Sequence, residues 1–207
     1  MSERFDIIAV IENFKKSLTT ADGDIKVADY VDAYEELSKL LKKMGKIFTF
    51  VEADVAEKRQ ILRDLHATDA DAYKTLKSMV RVECPPPVSV PKAQGLRTFL
   101  RLHRALAFII TFIESIEKCE PNASIAKIFS ESYNKTLAHH HTWLIRKSVS
   151  LAAHAVPNRA QLLERIFESV EDQQNVDNVA REFSIVIGMV YERVQIIYEE
   201  FKLLDLP

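Results

Sequence analysis

Apolar residues return every three or four positions along almost the whole chain, with little to interrupt them. Phe5, Ile8, Val10, Ile11, Phe14 and Leu18 set the period. The same spacing runs through Lys26 to His66, Asp69 to Val82, Gly95 to Cys119, Ser124 to Leu137, His141 to Ala155, Arg159 to Ser169 and Val179 to Leu203. A repeat near 3.6 residues lines these side chains along one stripe of a helix, and such a stripe must be buried against other helices. No segment alternates apolar and polar residues between turn signals, as a strand would. The 207 residues include only 4 glycines and 7 prolines, and four of those prolines fall in "CPPPVSVP", where their consecutive rings forbid helix. The expectation is an all-α fold of about eight helices in one domain spanning 1–207, with the long Lys26–His66 pattern bent near Gly45.

Charge and cysteine content narrow the function. The net charge of -2 gives no global attraction for nucleic acid, so an anion site must be local. Cys84 and Cys119 are too few for a disulfide framework, and neither sits in a metal-ligand spacing. The opening "MSERFDIIAVIENF" is amphipathic and partly acidic, unlike a signal peptide, and the most apolar run, Ala105 to Ile113, is too short to span a bilayer. A cytoplasmic protein is expected.

Three helices carry charge where apolar side chains belong. In "GLRTFLRLHRALAFIITF", Arg97, Arg101 and Arg104 fall within about 40° of one another on a helical wheel, and the stripe continues as Phe108 and Phe112. One side is thus cationic for its first turns and aromatic afterwards. Like charges one turn apart repel unless an anion lies between them. In "FTFVEADVAEKRQIL", Asp54 and Lys58 project from the stripe formed by Leu40, Ile47, Val51, Ile61 and Leu65, whereas Glu57, Arg59 and Arg63 read as solvent-facing. A buried structural ion pair and a ligand site are both open there. In "LAHHHTWLIRKSVSLAAH", His141 shares the inner face with Ile145, Ser148 and Ala152, while Trp143 points outward with Arg146 and Lys147. Three adjacent histidines diverge by about 100° each on a helix and cannot converge on one metal ion. An outward tryptophan among cations suits a membrane interface.

Asp54, Lys58, Arg97 and Arg101 together carry +2. A phosphate monoester carries about −1.5 to −2 near neutral pH. Cations leading to aromatic surface suit a ligand with a phosphate head and an apolar tail. There is no glycine-rich phosphate loop, GxSxG elbow, HExxH or inward carboxylate pair, and no nucleophile accompanies Asp54 and His141, so the residues point away from an enzyme.

The stretches "DVAEK", "RTFLRLHRAL", "LAHHHTW" with "IRKSVSLAAHAVPNR", and the terminal "LLDLP" resemble the glycolipid transfer protein superfamily, most closely its ceramide-1-phosphate branch. The resemblance runs from about Phe5 to Pro207. It implies a two-layer helical sandwich enclosing a lipid pocket, and a non-enzymatic carrier of sphingolipids between membranes that uses no cofactor. It also implies a monomer touching membrane surfaces peripherally and reversibly, with ceramide-1-phosphate or a related phosphosphingolipid as cargo and no nucleic-acid partner. By the same resemblance Asp54 accepts from the sphingoid amide N–H, His141 donates to the amide carbonyl, and Lys58, Arg97 and Arg101 hold the phosphate. Val51, Phe108, Phe112 and Ile145 line the tail pocket, and Trp143, Arg146 and Lys147 meet the membrane. The sugar-binding branch has Asn in place of Lys58 and a sugar-stacking Trp in place of Arg101, so these cations favour a phosphate head. A glycosylceramide carrier of the same fold, and a sphingolipid-sensing adaptor acting through a protein partner, are the competing expectations.

Overall fold

Asp6 starts the first helix by accepting the N–H of Ile8 on its carboxylate at 2.9 Å, satisfying an amide that has no partner within the helix. In this computed structural model residues 4–85, 93–120, 122–170 and 173–207 are described. Among them lie α1 (Ile7–Ser17), α2 (Val27–Lys43), α3 (Thr49–Thr68), α4 (Leu76–Glu83), α5 (Gln94–Lys118), α6 (Ile125–Thr136), α7 (Trp143–Ala153), α8 (Arg159–Ile166) and α9 (Gln173–Glu200), with short 3-10 turns at Lys46–Phe48 and Ala138–His140. No helix among the described residues is long and apolar enough to cross a membrane.

The nine helices among the described residues are close to the expected eight, and the additional one arises because Lys26–His66 is broken into α2 and α3. Gly45 sits at φ 110°, a backbone conformation that side-chain-bearing residues rarely adopt, and the chain reverses through it from α2 into α3. The reversal resets the helical phase, so Leu40 cannot share a stripe with residues of α3. The Asp69–Val82 pattern is helical only from Leu76, because Thr75 and Ser78 form a reciprocal capping box there. Residues 86–92, most of the proline-rich stretch, lie outside the described residues. So do residues 171 and 172 at the head of "EDQQNVDN", of which Gln173 already begins α9.

The helices pack in two layers around two apolar clusters. One joins α1, α2, α3, α4, α9 and the first half of α5, with the Tyr30 ring in contact with both Phe14 and Phe99. The other gathers Met44, Phe48, Phe112, Phe129 and Val149 from the α2–α3 turn, the second half of α5, α6 and α7. The N-terminal end of α5 is fixed by Glu83, whose carboxylate accepts the N–H groups of Gly95 at 2.7 Å and Leu96 at 2.8 Å. A carboxylate there also complements the helix dipole. Glycine at position 95 leaves room for this carboxylate: an added Cβ would lie 2.8 Å from Met79 Sδ and 2.9 Å from Glu83 Oε1, so one or both would have to shift. Arg97 and Arg101 follow within two turns, so this cap positions them.

His103 is buried where α5 meets α9. Its Nε2 lies 2.8 Å from the Gln195 amide oxygen, its ring stacks on Tyr191, and its buried Nδ1 has no partner among the described residues. Burial is the main cause that pushes its pKa from 6.5 to about 4, with Arg104 adding to the effect and the Gln195 bond opposing it. Because the folded value is depressed, the contribution is fully present above the unfolded pKa of 6.5. It is lost as pH falls toward 4, by about 3 kcal/mol if the unfolded ring titrates normally. Urea midpoints measured from neutral to acidic pH are expected to drop across that window, and His103→Gln is expected to flatten the drop.

Candidate functional site

Between the two apolar clusters lies a cavity of about 490 Å³. Its wall is almost entirely apolar, drawn from α1, α2, α3, α5, α6, α7, α8 and α9 with Phe5 before α1, and Glu117 of α5 also lines it. Polar groups gather where α3 and the approach to α7 meet: Asp54, His141 and Tyr133 line the cavity there. Val51, Phe108, Phe112 and Ile145 also face it. Phe108 and Phe112 stack with ring centroids 5.6 Å apart, and both pack edge-on against Phe129.

The α3 residues differ from the sequence expectation in their depth. Asp54 does not project into the core; its side chain is 59% exposed and pairs with Lys58 one turn on, whose side chain is only 14% exposed. The inward charge on α3 is Arg59, which was expected to face solvent. It is 9% exposed, lies between buried Val55 and Leu62, and stands 3.6 Å from Glu35. Arg63 in turn bonds Asp32 and Glu35, and the Arg63 bond holds the Glu35 carboxyl below its usual range. The break at Gly45 explains the error: α3 takes its phase from Val55, Arg59 and Leu62, which leaves Asp54 on the flank beside the cavity.

His141 also departs from expectation. It precedes α7 in extended backbone, at φ -110° and ψ 144°, instead of sharing the helix's inner face with Ile145 and Ala152. This lets its ring turn back toward α6, where Nδ1 lies 2.9 Å from the Tyr133 hydroxyl. Partial burial lowers its pKa most; Asp54 opposes this and Lys58 reinforces it, which places His141 within the electrostatic reach of both. The rings of His139 and His140 lie 3.9 Å apart, tilted by 46°. No group of three metal-ligating side chains occurs among the described residues.

On α5 the stripe runs from cation to aromatic along its length. Arg101 is exposed and Arg97 half-buried, and neither guanidinium has a hydrogen-bond or carboxylate partner among the described residues. The Nε of Arg97 is buried without a bond. Arg104 is different: it donates to the backbone oxygens of Leu204 at 2.8 Å and Leu206 at 3.0 Å, so it ties down the C-terminal turn. Helices α3 and α5 pack side by side. The structure thus joins Asp54, Lys58 and His141 by contact or electrostatics, and sets Arg97 and Arg101 on the adjoining helix without direct contact to them.

Both the Glycolipid transfer protein (GLTP) family profile and whole-chain relatives match this sequence, the profile over residues 25–168. The chain belongs to the glycolipid transfer protein family. The ceramide-1-phosphate transfer protein of Rattus norvegicus is 34% identical over 98% of this chain and 97% of its own length. The crystal structure of mouse ceramide-1-phosphate transfer protein in its apo form aligns with TM-score 0.88 at 33% identity, covering 98% of this chain and all of the other. That of the human protein in complex with 12:0 ceramide-1-phosphate aligns equally well, at 0.88 and 30% identity. These matches span the two-layer helical architecture that the resemblance implied.

Within this GLTP fold the rim of the cavity adjoins an exposed apolar patch. Trp143, at the first turn of α7, is 64% exposed, and Leu144 beside it is equally open. Lys147 Nζ stands 5.7 Å from the Trp143 ring centroid, and Arg146 is exposed as well. Phe50, exposed and also lining the cavity, and Leu144 escaped the sequence reading. Leu144 had a legible signal, since it follows Trp143 among polar neighbours. Phe50 had none, because its partners come from other helices.

Proposed function

We propose that this protein carries ceramide-1-phosphate between membranes without chemical change to the lipid, acting as a cytoplasmic monomer that touches membrane surfaces reversibly. The observation that carries the reading is a pair of guanidiniums without a partner among the described residues, Arg97 and Arg101, on the helix that continues into the apolar cavity as Phe108 and Phe112. Cations left unpaired beside a desolvated space favour a dianionic head group, and each charge-assisted bond to it is about twice as strong as a neutral one. Lys58 completes the cationic set. Asp54 accepts from the sphingoid amide N–H. This role assigns the Tyr133 hydroxyl, 2.9 Å from Nδ1, as donor to it, so that the neutral His141 ring carries its proton on Nε2 and donates it to the amide carbonyl. The apolar tails enter the cavity. Each methylene exposed to water costs about 0.8 kcal/mol, so sheathing a long chain removes most of the barrier to leaving a bilayer.

The deciding experiment sets ceramide-1-phosphate against glucosylceramide in one vesicle-transfer assay with purified protein and no partner. Transfer of the phosphate lipid alone is expected, because a neutral hexose leaves the cations without counter-charge. Comparable transfer of glucosylceramide would overturn the head-group reading. Binding without transfer would favour a sensing adaptor.

Trp143, Leu144, Arg146 and Lys147 are assigned to membrane contact. Trp143→Ala is expected to weaken adsorption to vesicles by about tenfold, a fraction of what burying an indole provides. The affinity of the pocket for short-chain lipid in solution is expected to change little. Unaltered vesicle partitioning would return Trp143 to ordinary surface packing.

A further inference from the structure

A head group held by Asp54, His141 and the cations leaves the tail to the apolar wall. That wall includes Phe5, Ile7, Phe167 and Phe183, with the Glu117 carboxylate accepting from Ser184 beside Phe183. Phe5 differs from the others because it precedes α1 and stands outside any helical hydrogen-bond ladder. Its own N–H donates to the Glu168 carboxylate at 2.9 Å, and the next N–H, that of Asp6, donates to Glu36 at 2.8 Å. Both carboxylates are themselves held: Lys43 and the Phe5 amide share one oxygen of Glu168, and Lys39 donates to Glu36 at 2.7 Å. Arg4 adds a bond to the Glu168 backbone oxygen. The segment 4–6 is therefore pinned through its backbone from α2 and from the residues just past α8. Its one fully buried side chain, the Phe5 ring at 1% exposure, faces the cavity.

Main-chain clamps of this kind do not depend on which side chain they present. The ring can change size while the segment stays in place, unlike a core residue whose backbone belongs to a packed helix. The geometry points to Phe5 as the stop that sets how long an apolar tail the cavity accepts. This rests on the lipid-carrier reading above and adds a specificity determinant to it. Removing ring volume at this position opens the end of the cavity, and each further methylene admitted favours the longer lipid by about fourfold.

The test offers the full-length protein vesicles holding equal amounts of dodecanoyl, palmitoyl and lignoceroyl ceramide-1-phosphate, and reads the bound distribution by native mass spectrometry. Phe5→Leu and Phe5→Ala are expected to shift it toward longer chains by fourfold or more, and Phe5→Trp toward shorter ones. Should the alanine variant fail to fold, the leucine and tryptophan variants still give opposite shifts. Phe14→Leu removes similar volume from a core site that does not line the cavity, and is expected to leave the distribution unchanged. An unchanged distribution in folded Phe5→Leu and Phe5→Trp overturns the assignment, as does an equal shift in Phe14→Leu. If the unaltered protein holds none of the three lipids, the carrier reading itself falls. If it holds them and only the Phe5 shifts are missing, the carrier reading stands and the stop does not.

Discussion

Replacing Arg97 and Arg101 together by leucine is expected to lower ceramide-1-phosphate transfer by two to four orders of magnitude while leaving the fold intact. Each hydrogen bond between a guanidinium and a phosphate contributes about 1.5–3 kcal/mol, and losing two gives about 3–6 kcal/mol. The fold has no comparable dependence on them. Among the described residues exposed Arg101 has no partner and Arg97 keeps a buried Nε without a bond, so leucine removes an uncompensated polar atom. The melting temperature is therefore expected to hold or rise. Vesicle transfer and a thermal melt on the same preparation separate the outcomes. A folded double variant that still transfers the lipid would mean the phosphate is held elsewhere.

Asp54→Val is expected to cost tenfold or more in lipid affinity, because the sphingoid amide then loses an ionised acceptor worth about 1.5–3 kcal/mol. Stability is expected to stay within about 0.5 kcal/mol of the parent, since the carboxylate is more than half exposed and its bond to Lys58 is an ordinary one-turn helix pair. Because Asp54 is exposed, valine relieves no buried strain and no gain in stability is expected. Lipid titration alongside denaturant unfolding reads both quantities. Undiminished affinity would reduce Asp54 to a surface ion-pair member.

Helical class, the positions of most helices and the change from cation to aromatic along α5 could all be read from the one-dimensional pattern. Each depends on neighbours within one or two turns. A period of 3.6 residues places Arg97, Arg101, Phe108 and Phe112 on one stripe whatever else surrounds the helix. Capping is equally local, as Asp6 and Thr75 illustrate.

What the periodicity alone could not give was depth and pairing, because burial on a helix flank is set by the element that packs there. The reversal at Gly45 changed which face of α3 turned inward, exchanging the expected places of Asp54 and Arg59. Arg104 looked like a third member of the arginine stripe until the C-terminal turn, a hundred residues away, brought the carbonyls of Leu204 and Leu206 to it. His141 reaches Tyr133 only because the chain is extended before α7, an outcome of how α6 and α7 dock. Glu83 as the cap of α5 and Phe5 in the cavity wall carry no sequence signal either, for both act on segments that only the tertiary fold brings beside them. The sequence by itself determined an all-helical chain with one cationic-to-aromatic stripe, because those features are properties of single helices. Only the tertiary structure decided which charges are free to meet a ligand and where its tail must stop, because those are properties of the spaces between helices.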